Sequence, residues 1–366
     1  MPDTYDFVVK RDDLRESAIL PAPAEDEIEL ETGQALLRID NFSISANNVT
    51  YGAMGDAMSY WKFFPAPDDW GRVPAWGFAE VARSEYAGLP AGTGVYGYLP
   101  MSTHLVISPG EDSSAGFTDV SPHRAGLPVI YNRYTIVSRD PESGSDRETL
   151  NALFSPLFAT SFLLEDWLAE EEFFGARKLL LSSASSKTAL GLAFLLKKNH
   201  GGDAATVGLT SPGNREFVTG TGLYDEVHDY ADLSGLEPPE AAVYLDFAGN
   251  GDLRAQVHGI FGDQLKASVI IGAADWEGMT PPQGNDPMPG PDPELFFAPT
   301  RAEKRIGDWG GEELRRRVAA EQDQFIESTG DWLTIRTGIG AADLKAAFRA
   351  HVDGDTTPDE GWSIRP

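Results

Sequence analysis

The chain has 366 residues, a length for which two domains of roughly 150 to 200 residues are the usual expectation. Hydrophobic residues make up 41% and aromatic residues 10%, which suffices for packed cores and excludes a disordered chain. The sequence contains no cysteine, so disulfide frameworks, thiolate zinc sites, iron–sulfur clusters and cysteine nucleophiles are excluded.

The charge is strongly one-sided, with 57 acidic against 29 basic residues and a net charge of −28. A field of this sign repels phosphate backbones and anionic membranes, so neither nucleic acid nor membrane is expected as a partner. Residues 1–6 are polar and acidic, which predicts no signal peptide. No apolar run approaches the ~20 residues of a membrane span, and a cytoplasmic location is expected. An anionic ligand would need a local cluster of donors.

Residues 5 to about 110 show many short strand patterns with glycine and proline between them. The clearest predicted strands are 35–39, 77–82, 95–99 and 104–107. This spacing favours an all-β, barrel-like unit. A loop rich in proline and glycine is expected to follow, up to about residue 146.

The pattern then changes to alternating helices and strands. Residues 149–170 look helical, and Pro156 is expected to split them into two helices. Four strands are predicted at 178–182, 205–209, 243–247 and 267–271, and three helices at 188–198, 214–219 and 253–261. This alternation is typical of a doubly wound parallel sheet. Beyond it the sequence predicts a loop over 275–300, a helix over 312–326, a strand over 332–336 and a helix over 341–351.

The turn after strand 178–182 is the most informative segment. It contains small and hydroxyl-bearing residues and leads directly into a helix; the candidate ligand-binding residues are Ser183, Ser185, Ser186, Lys187 and Thr188. The N–H groups and the positive end of the dipole at a helix start attract anions. Small side chains let a diphosphate approach the backbone, so the turn is a candidate dinucleotide site.

Three interpretations of this turn remain open. A phosphate loop of the G-x-x-x-x-G-K-T kind would need glycine where Leu181 and Ser186 stand. The dinucleotide fingerprint G-x-x-G-x-x-G would place Ser183, Ser186 and Ala189 at its glycine positions, and all three are small. The third interpretation is a capped helix that binds nothing.

The end of the second strand bears on the choice of nucleotide. NAD-binding proteins usually carry an acidic residue there for the ribose 2′-hydroxyl. This chain instead has Thr210, Ser211, Asn214 and Arg215, which suit a 2′-phosphate and favour NADPH over NADH. The alternative is that Arg215 is simply exposed on a surface helix.

With these residues identified, the chain resembles the medium-chain dehydrogenase/reductase superfamily, in particular its zinc-free, quinone-oxidoreductase-like branch. The resemblance spans nearly the whole chain through loose motifs, at residues 45–55, 74–81, 94–97, 159–161, 243–250, 269–273 and 341–364. The chain departs from the family pattern where serines replace the fingerprint glycines. It also lacks the aspartate expected after the first asparagine of the 45–51 segment.

The resemblance implies the α/β fold class, with a GroES-like β-barrel catalytic domain and a Rossmann domain. Residues 1–147 and 295–366 would form the catalytic domain, residues 148–294 the NADP-binding domain, and the active site would lie in the cleft. Asn250 and Gly272 match family positions beside the cofactor. The family also implies a small-molecule substrate and a possible homodimer. Zinc of the family type needs cysteine, so no metal is expected.

The resemblance points to Tyr51 and Asn48 as catalytic candidates, with Tyr51 donating a hydrogen bond to a substrate carbonyl. Tyr51 is alternatively a wall residue without a proton role. Asn47 and Asn48 could hold substrate or nicotinamide ribose, or could cap a turn. Asn132 and Tyr134 are candidates for lining the substrate pocket.

Further residues have two interpretations each. The dense aromatic run forms either an apolar substrate pocket or ordinary core; its members are Tyr60, Trp61, Phe63, Phe64, Trp70 and Trp76. Asp246 follows a predicted strand, where it could contact a ligand or cap the next turn.

The leading hypothesis is therefore an NADPH-dependent, zinc-independent oxidoreductase that reduces an activated C=C bond or a quinone-like substrate. The alternative from another class is a dinucleotide-binding sensor or interaction protein without catalysis. A phosphate-loop nucleotide hydrolase is the third candidate, and the missing glycines oppose it.

Overall fold

The computed structural model describes residues 3–110, 115–137, 145–236, 240–272 and 288–366. It divides into two compact units, one made of residues 1–153 with 334–366 and the other of residues 154–333. These limits differ from the expected domain boundaries, because residues 295–333 group with the second unit. The expected loop to 146 includes residues 111–114 and 138–144, and the expected loop 275–300 includes residues 275–287; these segments lie outside the described residues.

The N-terminal part of the first unit is built mainly of short strands. They are β1 (Tyr5–Lys10), β2 (Ser17–Pro21), β3 (Ala35–Ile44), β4 (Trp70–Gly71), β5 (Pro74–Ser84), β6 (Gly94–Pro100), β7 (His104–Ile107), β8 (Gly116–Thr118) and β9 (Arg133–Val137). Two short helices lie among them, α1 (Ala46–Ala53) and α2 (Val129–Asn132). The sequence did not predict either helix.

One continuous helix, α3 (Ser145–Glu170), replaces the two helices expected around Pro156, so that prediction was wrong. Proline inside a helix removes one backbone hydrogen bond at a cost of about 3 kcal/mol. Burial on both sides of the proline offsets this loss: Phe154 and Phe158 pack on Phe325 with ring centroids 5.1 and 5.2 Å apart.

The second unit contains the alternating elements. Its strands are β10 (Lys178–Leu181), β11 (Ala205–Thr210), β12 (Glu226–Asp229), β13 (Ala242–Asp246), β14 (Leu265–Ile270) and β15 (Glu294–Leu295). Its helices after α3 are α4 (Lys187–His200), α5 (Arg215–Gly220), α6 (Gly251–Phe261), α7 (Ala298–Trp309) and α8 (Gly311–Thr329).

The six strands of the second unit form one parallel sheet in the order β12-β11-β10-β13-β14-β15. This is the strand order of a Rossmann dinucleotide-binding fold. Successive strands are added on one side of β10 up to β12 and on its other side from β13 to β15, so the strand order reverses between β10 and β13. Ligands of such sheets bind beyond the carboxyl ends of the strands at this reversal. The turn singled out from the sequence follows β10 and therefore lies there.

Both faces of this sheet are covered. Alternate residues of β10 point to opposite sides, since Leu179 and Leu181 join a core with α3 and α4, whereas Leu180 joins a core with α6. Burial on both faces explains why β10 and β13 read as continuous apolar runs in the sequence.

The last segment returns to the first unit with β16 (Thr334–Ile339), α9 (Gly340–Asp353) and β17 (Glu360–Arg365). The main sheet of this unit has the order β16-β17-β3-β5-β6-β9-β8, with β7 also paired to β3. A smaller sheet has the order β2-β1-β4. None of the helices in the described ranges combines the length and the hydrophobicity that a membrane span requires.

Helix α6 carries a fully buried histidine, His258. Its Nδ1 lies 2.8 Å from the Pro289 carbonyl oxygen and its Nε2 lies 2.8 Å from the Ser268 hydroxyl. Burial lowers the pKa of His258 below its usual value, because the imidazolium form is poorly solvated there.

A pH dependence of stability follows from His258. The unfolded chain takes up a proton near pH 6.5 that the folded chain resists, so this residue's stability contribution is complete above that pH and decreases as the pH falls. We expect the loss to reach at most about 1.4 kcal/mol at pH 5.5. Urea unfolding at pH 7.5 and 5.5 should show a smaller pH effect in His258→Gln than in the wild type. An equal pH effect in both proteins would contradict this assignment.

Candidate functional site

The turn after β10 is held in a conformation that normally favours glycine. Ser183 has φ +47°, a left-handed geometry that costs a non-glycine residue about 1–2 kcal/mol. Its N–H donates to the Tyr230 hydroxyl at 2.7 Å, and the Tyr224 hydroxyl donates to the Ala184 carbonyl at 2.8 Å. The first fingerprint position therefore keeps the backbone of a tight turn without its glycine, and two tyrosines stabilise it.

Helix α4 begins at the end of this turn. Ser186 is its N-cap, and the hydroxyl accepts a hydrogen bond from the Ala189 N–H at 3.3 Å. Lys187 and Thr188 form the first residues of the helix, and both side chains are half-buried. A capped helix start directs its remaining N–H groups and its positive dipole end towards the same edge of the sheet.

The loop after β11 adjoins this turn. The Asn214 amide donates to the Ser185 hydroxyl at 3.0 Å. Thr210 is buried, and its hydroxyl has no hydrogen-bond partner among the described residues. Arg215 is exposed and forms an ion pair with Asp229 at 3.3 Å. Ser211 begins the short turn that leads to Asn214.

A buried ionic network fixes the strand ends at the reversal point. Asp246, at the end of β13, accepts hydrogen bonds from the Ser182 hydroxyl at 2.8 Å and from Arg254 at 2.7 and 3.0 Å. The carboxylate also accepts from the Gly249 N–H at 2.9 Å. Asp246 is fully buried, which favours the interpretation that it organises the following turn over direct ligand contact. Asn250 then caps α6 by accepting from the Leu253 N–H.

Gly272 lies just after β14, where backbones approach closely. A Cβ at this position would lie 3.1 Å from the Phe247 carbonyl oxygen, so a side chain would fill the space next to the β13 end. Glycine at this position therefore avoids a close contact with the Phe247 backbone.

The predicted cofactor residues thus share one edge of the parallel sheet, at the ends of β10, β11, β13 and β14. They are Ser183, Ser185, Ser186, Lys187, Thr188, Thr210, Ser211, Asn214, Arg215, Asn250 and Gly272. Sequence reasoning missed Asp229, Tyr224 and Tyr230, because β12 was not predicted. In an alternating helix–strand pattern, the long interval between β11 and β13 indicated that a further strand could lie there.

In the first unit, Asn48 is engaged in holding α1. Its side-chain oxygen accepts from the Ser45 N–H at 2.8 Å and its amide donates to the Pro74 carbonyl at 2.8 Å. The capping alternative therefore describes its contacts, and Asn48 positions the helix that carries Tyr51.

Tyr51 is buried among aromatic side chains. The Trp76 indole N–H donates to the Tyr51 oxygen at 3.2 Å. Indole can only donate, so the phenol directs its own proton elsewhere. Burial raises the pKa of Tyr51 well above its usual value and repulsion from Tyr60 adds to this, while hydrogen bonds from Trp76 and Asn47 oppose it. Tyr51 is therefore a neutral hydrogen-bond donor at physiological pH.

A cluster of tyrosines surrounds Tyr51. Its ring centroid lies 4.8 Å from that of Tyr60, 5.4 Å from Tyr98 and 6.4 Å from Tyr131. The Tyr60 and Tyr131 hydroxyls are 3.3 Å apart. The sequence identified Tyr51 and Tyr60 but missed Tyr98 and Tyr131, whose approach depends on how β6 and α2 pack.

Most of the aromatic run predicted from the sequence is core. Tyr60, Trp61, Phe63 and Phe64 are all buried. The Trp61 ring fills space that a Cβ at Gly55 or Gly71 would occupy. Core packing therefore accounts for these four residues, while Trp76 is half-buried.

Asn132 and Tyr134 are buried and pack inside the first unit. The Tyr134 hydroxyl donates to the Tyr98 carbonyl at 2.7 Å, and its ring stacks on Phe117. The Asn132 amide donates to the Arg124 carbonyl at 3.4 Å. These contacts support the β6–β9 region, so both residues have a structural role in the interior of the first unit.

The described residues contain no group of three or more histidine, cysteine, aspartate or glutamate side chains that could hold a metal ion.

Comparisons with known proteins agree with this architecture. No curated protein matches the chain. CurA from Vibrio vulnificus, solved in complex with NADPH, matches with a TM-score of 0.62 and 15% identity over 99% of this chain and 98% of that one. The yhdH oxidoreductase from Salmonella enterica, solved with NADP, matches with a TM-score of 0.53 and 11% identity over 99% of each chain. The CurK enoyl reductase gives a TM-score of 0.54 and 12% identity over 99% of each.

These likenesses concern the fold, and they confirm the predicted class of a GroES-like domain combined with a Rossmann domain. They also confirm the resemblance to the medium-chain dehydrogenase/reductase fold. The family model described as "Protein of unknown function (DUF2855)" matches residues 42–357, which is most of the chain. The chain therefore belongs to the DUF2855 family and has the medium-chain dehydrogenase/reductase fold.

Proposed function

We propose that this chain is an NADP(H)-dependent oxidoreductase that works without zinc and reduces an activated C=C bond or a quinone-like substrate. The observation that carries the proposal is the turn from Ser183 to Ser186 at the reversal point of the parallel sheet. NADPH or NADP in the solved structures of CurA and yhdH supports this choice of cofactor. The name of the CurK enoyl reductase supports C=C reduction.

The residues at this edge fit a dinucleotide. The tight turn keeps its left-handed residue at Ser183, and Ser186 caps a helix whose start favours a diphosphate. Gly272 leaves space beside the β13 end. Arg215 supplies a cation for a 2′-phosphate in a chain whose overall charge would repel one.

When bound, NADPH would supply the hydride. The contribution of this chain would be to orient the substrate and stabilise the negative charge that develops on its oxygen. Tyr51 is suited to this task because its burial keeps the phenol protonated and its oxygen is already oriented by Trp76. Asn48 would act indirectly by holding α1, and Asn47 would help orient the phenol.

A second candidate function is nucleotide binding without catalysis. The hydrogen bonds of Asn48 favour it, because one of the two predicted catalytic side chains is already bonded to the backbone of Ser45 and Pro74. The two candidates differ in turnover and agree on NADPH binding.

The proposal is tested with Tyr51→Phe. NADPH oxidation, followed by its absorbance, should be measured with a panel of enones and quinones. We expect wild-type turnover on at least one of them and a decrease of roughly 100-fold in kcat for the variant. The dissociation constant of NADPH should not change.

Tyr86→Phe is the matched control, because Tyr86 is also a phenol of the first unit and its hydroxyl donates to a backbone carbonyl, that of Gly110, at 3.5 Å. It should keep wild-type turnover. NADPH binding without turnover on any substrate would favour the second candidate, and equal turnover of Tyr51→Phe and wild type would remove the role proposed for Tyr51.

A further inference from the structure

Three strand ends are joined directly at the predicted nucleotide edge. The Tyr230 hydroxyl, just after β12, accepts the Ser183 N–H of the β10 turn at 2.7 Å. Asn214, after β11, donates to Ser185 of the same turn at 3.0 Å. The end of β12 is therefore part of the same edge as the β10 turn and the β11 loop.

This junction brings a carboxylate to the end of β11. That end carries Thr210 and Ser211, and Arg215 is the first charged residue after them. Asp229 ends β12 and pairs with Arg215 at 3.3 Å. The acidic residue that dinucleotide folds usually place at the second strand is here supplied by the third.

Asp229 is held in a defined orientation. One carboxylate oxygen accepts the N–H groups of Ala231 and Asp232 at 3.0 and 3.1 Å. The other oxygen faces Arg215, whose side chain is 56% exposed against 16% for Asp229. A single exposed ion pair of this kind is weak, so a ligand can displace the guanidinium from the carboxylate.

The two groups suit two different nucleotides. A carboxylate accepts a hydrogen bond from an unmodified ribose 2′-hydroxyl, whereas a guanidinium binds a 2′-phosphate. The same carboxylate repels a 2′-phosphate, because both groups are anionic.

We propose that Asp229 is a specificity-determining residue that allows this site to bind NADH as well as NADPH. In NADH it would accept the ribose 2′-hydroxyl, and in the NADPH complex it would oppose the 2′-phosphate held by Arg215. The preference for NADPH is therefore modest. This inference rests on the proposed function, and it adds NADH binding to the preference for NADPH that the β11 end alone indicated.

The test is calorimetric titration of wild type and Asp229→Asn with NADPH and with NADH. We expect wild type to bind both, with NADPH favoured by less than about 30-fold. Asp229→Asn should bind NADPH about threefold more tightly and NADH about threefold more weakly, which raises the preference about tenfold. Arg215→Ala should reverse the preference by weakening NADPH alone.

Asp263→Asn is the matched control, since it removes one exposed carboxylate just before β14, at the amino-terminal edge of the sheet. It should leave the preference unchanged. A preference that is equal in Asp229→Asn and wild type, or a wild-type preference above about 30-fold, would overturn the inference while leaving the proposed function intact. Folded wild type that binds neither nucleotide would overturn the proposed function itself.

Discussion

Replacing Ser186 by Asp is expected to abolish NADPH binding while leaving the chain as stable as the wild type. Aspartate caps a helix as well as serine does, so the hydrogen bond from the Ala189 N–H is kept. The new carboxylate would stand where the diphosphate is proposed to bind. Two unit charges about 4 Å apart repel by about 4 kcal/mol at an effective dielectric constant of 20. We therefore expect affinity to fall by at least about 100-fold.

Ser186→Asn is the matched control for this experiment, because asparagine has the shape and capping ability of aspartate without its charge. Calorimetric titration with NADPH should show at most a severalfold loss for Asn against near-complete loss for Asp, while both variants melt near the wild-type temperature. If Asp and Asn variants bound NADPH equally well, the turn after β10 would not be the diphosphate site.

The second large effect is expected from the buried pair of Asp246 and Arg254. Arg254→Met would leave the Asp246 carboxylate fully buried without its cation. Removing one partner of a buried pair typically costs about 3–5 kcal/mol, since the remaining charge is neither solvated nor neutralised. Urea unfolding should therefore show a loss of this size.

The double variant Asp246→Asn with Arg254→Met separates charge from packing. Asparagine can still accept hydrogen bonds from the Ser182 hydroxyl and the Gly249 N–H, so no charge is left buried without a partner. We expect the double variant to be more stable than Arg254→Met alone. A loss below about 1 kcal/mol in Arg254→Met would mean that this pair does not hold the strand ends.

The stability of this pair bears on the proposed function. The Ser182 hydroxyl donates to Asp246 and also accepts a hydrogen bond from the Ala248 N–H at 3.0 Å. Ser182 immediately precedes the turn of Ser183, so the network ties the turn to the end of β13. Loss of the pair should therefore reduce NADPH affinity as well as stability.

Local sequence patterns predicted much of the second unit. The apolar strand β10, the small-residue turn and the amphipathic α4 are close in sequence, and each depends on its own residues, so their order and approximate bounds could be predicted. Strand β12 could not, because Glu226, His228 and Asp229 are polar and the strand lies at the edge of the sheet. The helix break expected at Pro156 does not occur, because the packing of Phe154 and Phe158 outweighs the local destabilisation by the proline.

Local sequence patterns were sufficient for the doubly wound class, the position of the small-residue turn after β10 and the absence of cysteine ligands, since these depend on residue type and on spacing within a few tens of residues. Which side chains from distant parts of the chain meet became known only from the three-dimensional fold. The pairing of β12 with β11 brings Tyr230 to Ser183 and Asp229 to Arg215, whereas the packing of α1 brings Tyr51 against Tyr98. Such contacts depend on which strands and helices are neighbours in the fold, and the local periodicity of the sequence does not specify those neighbours.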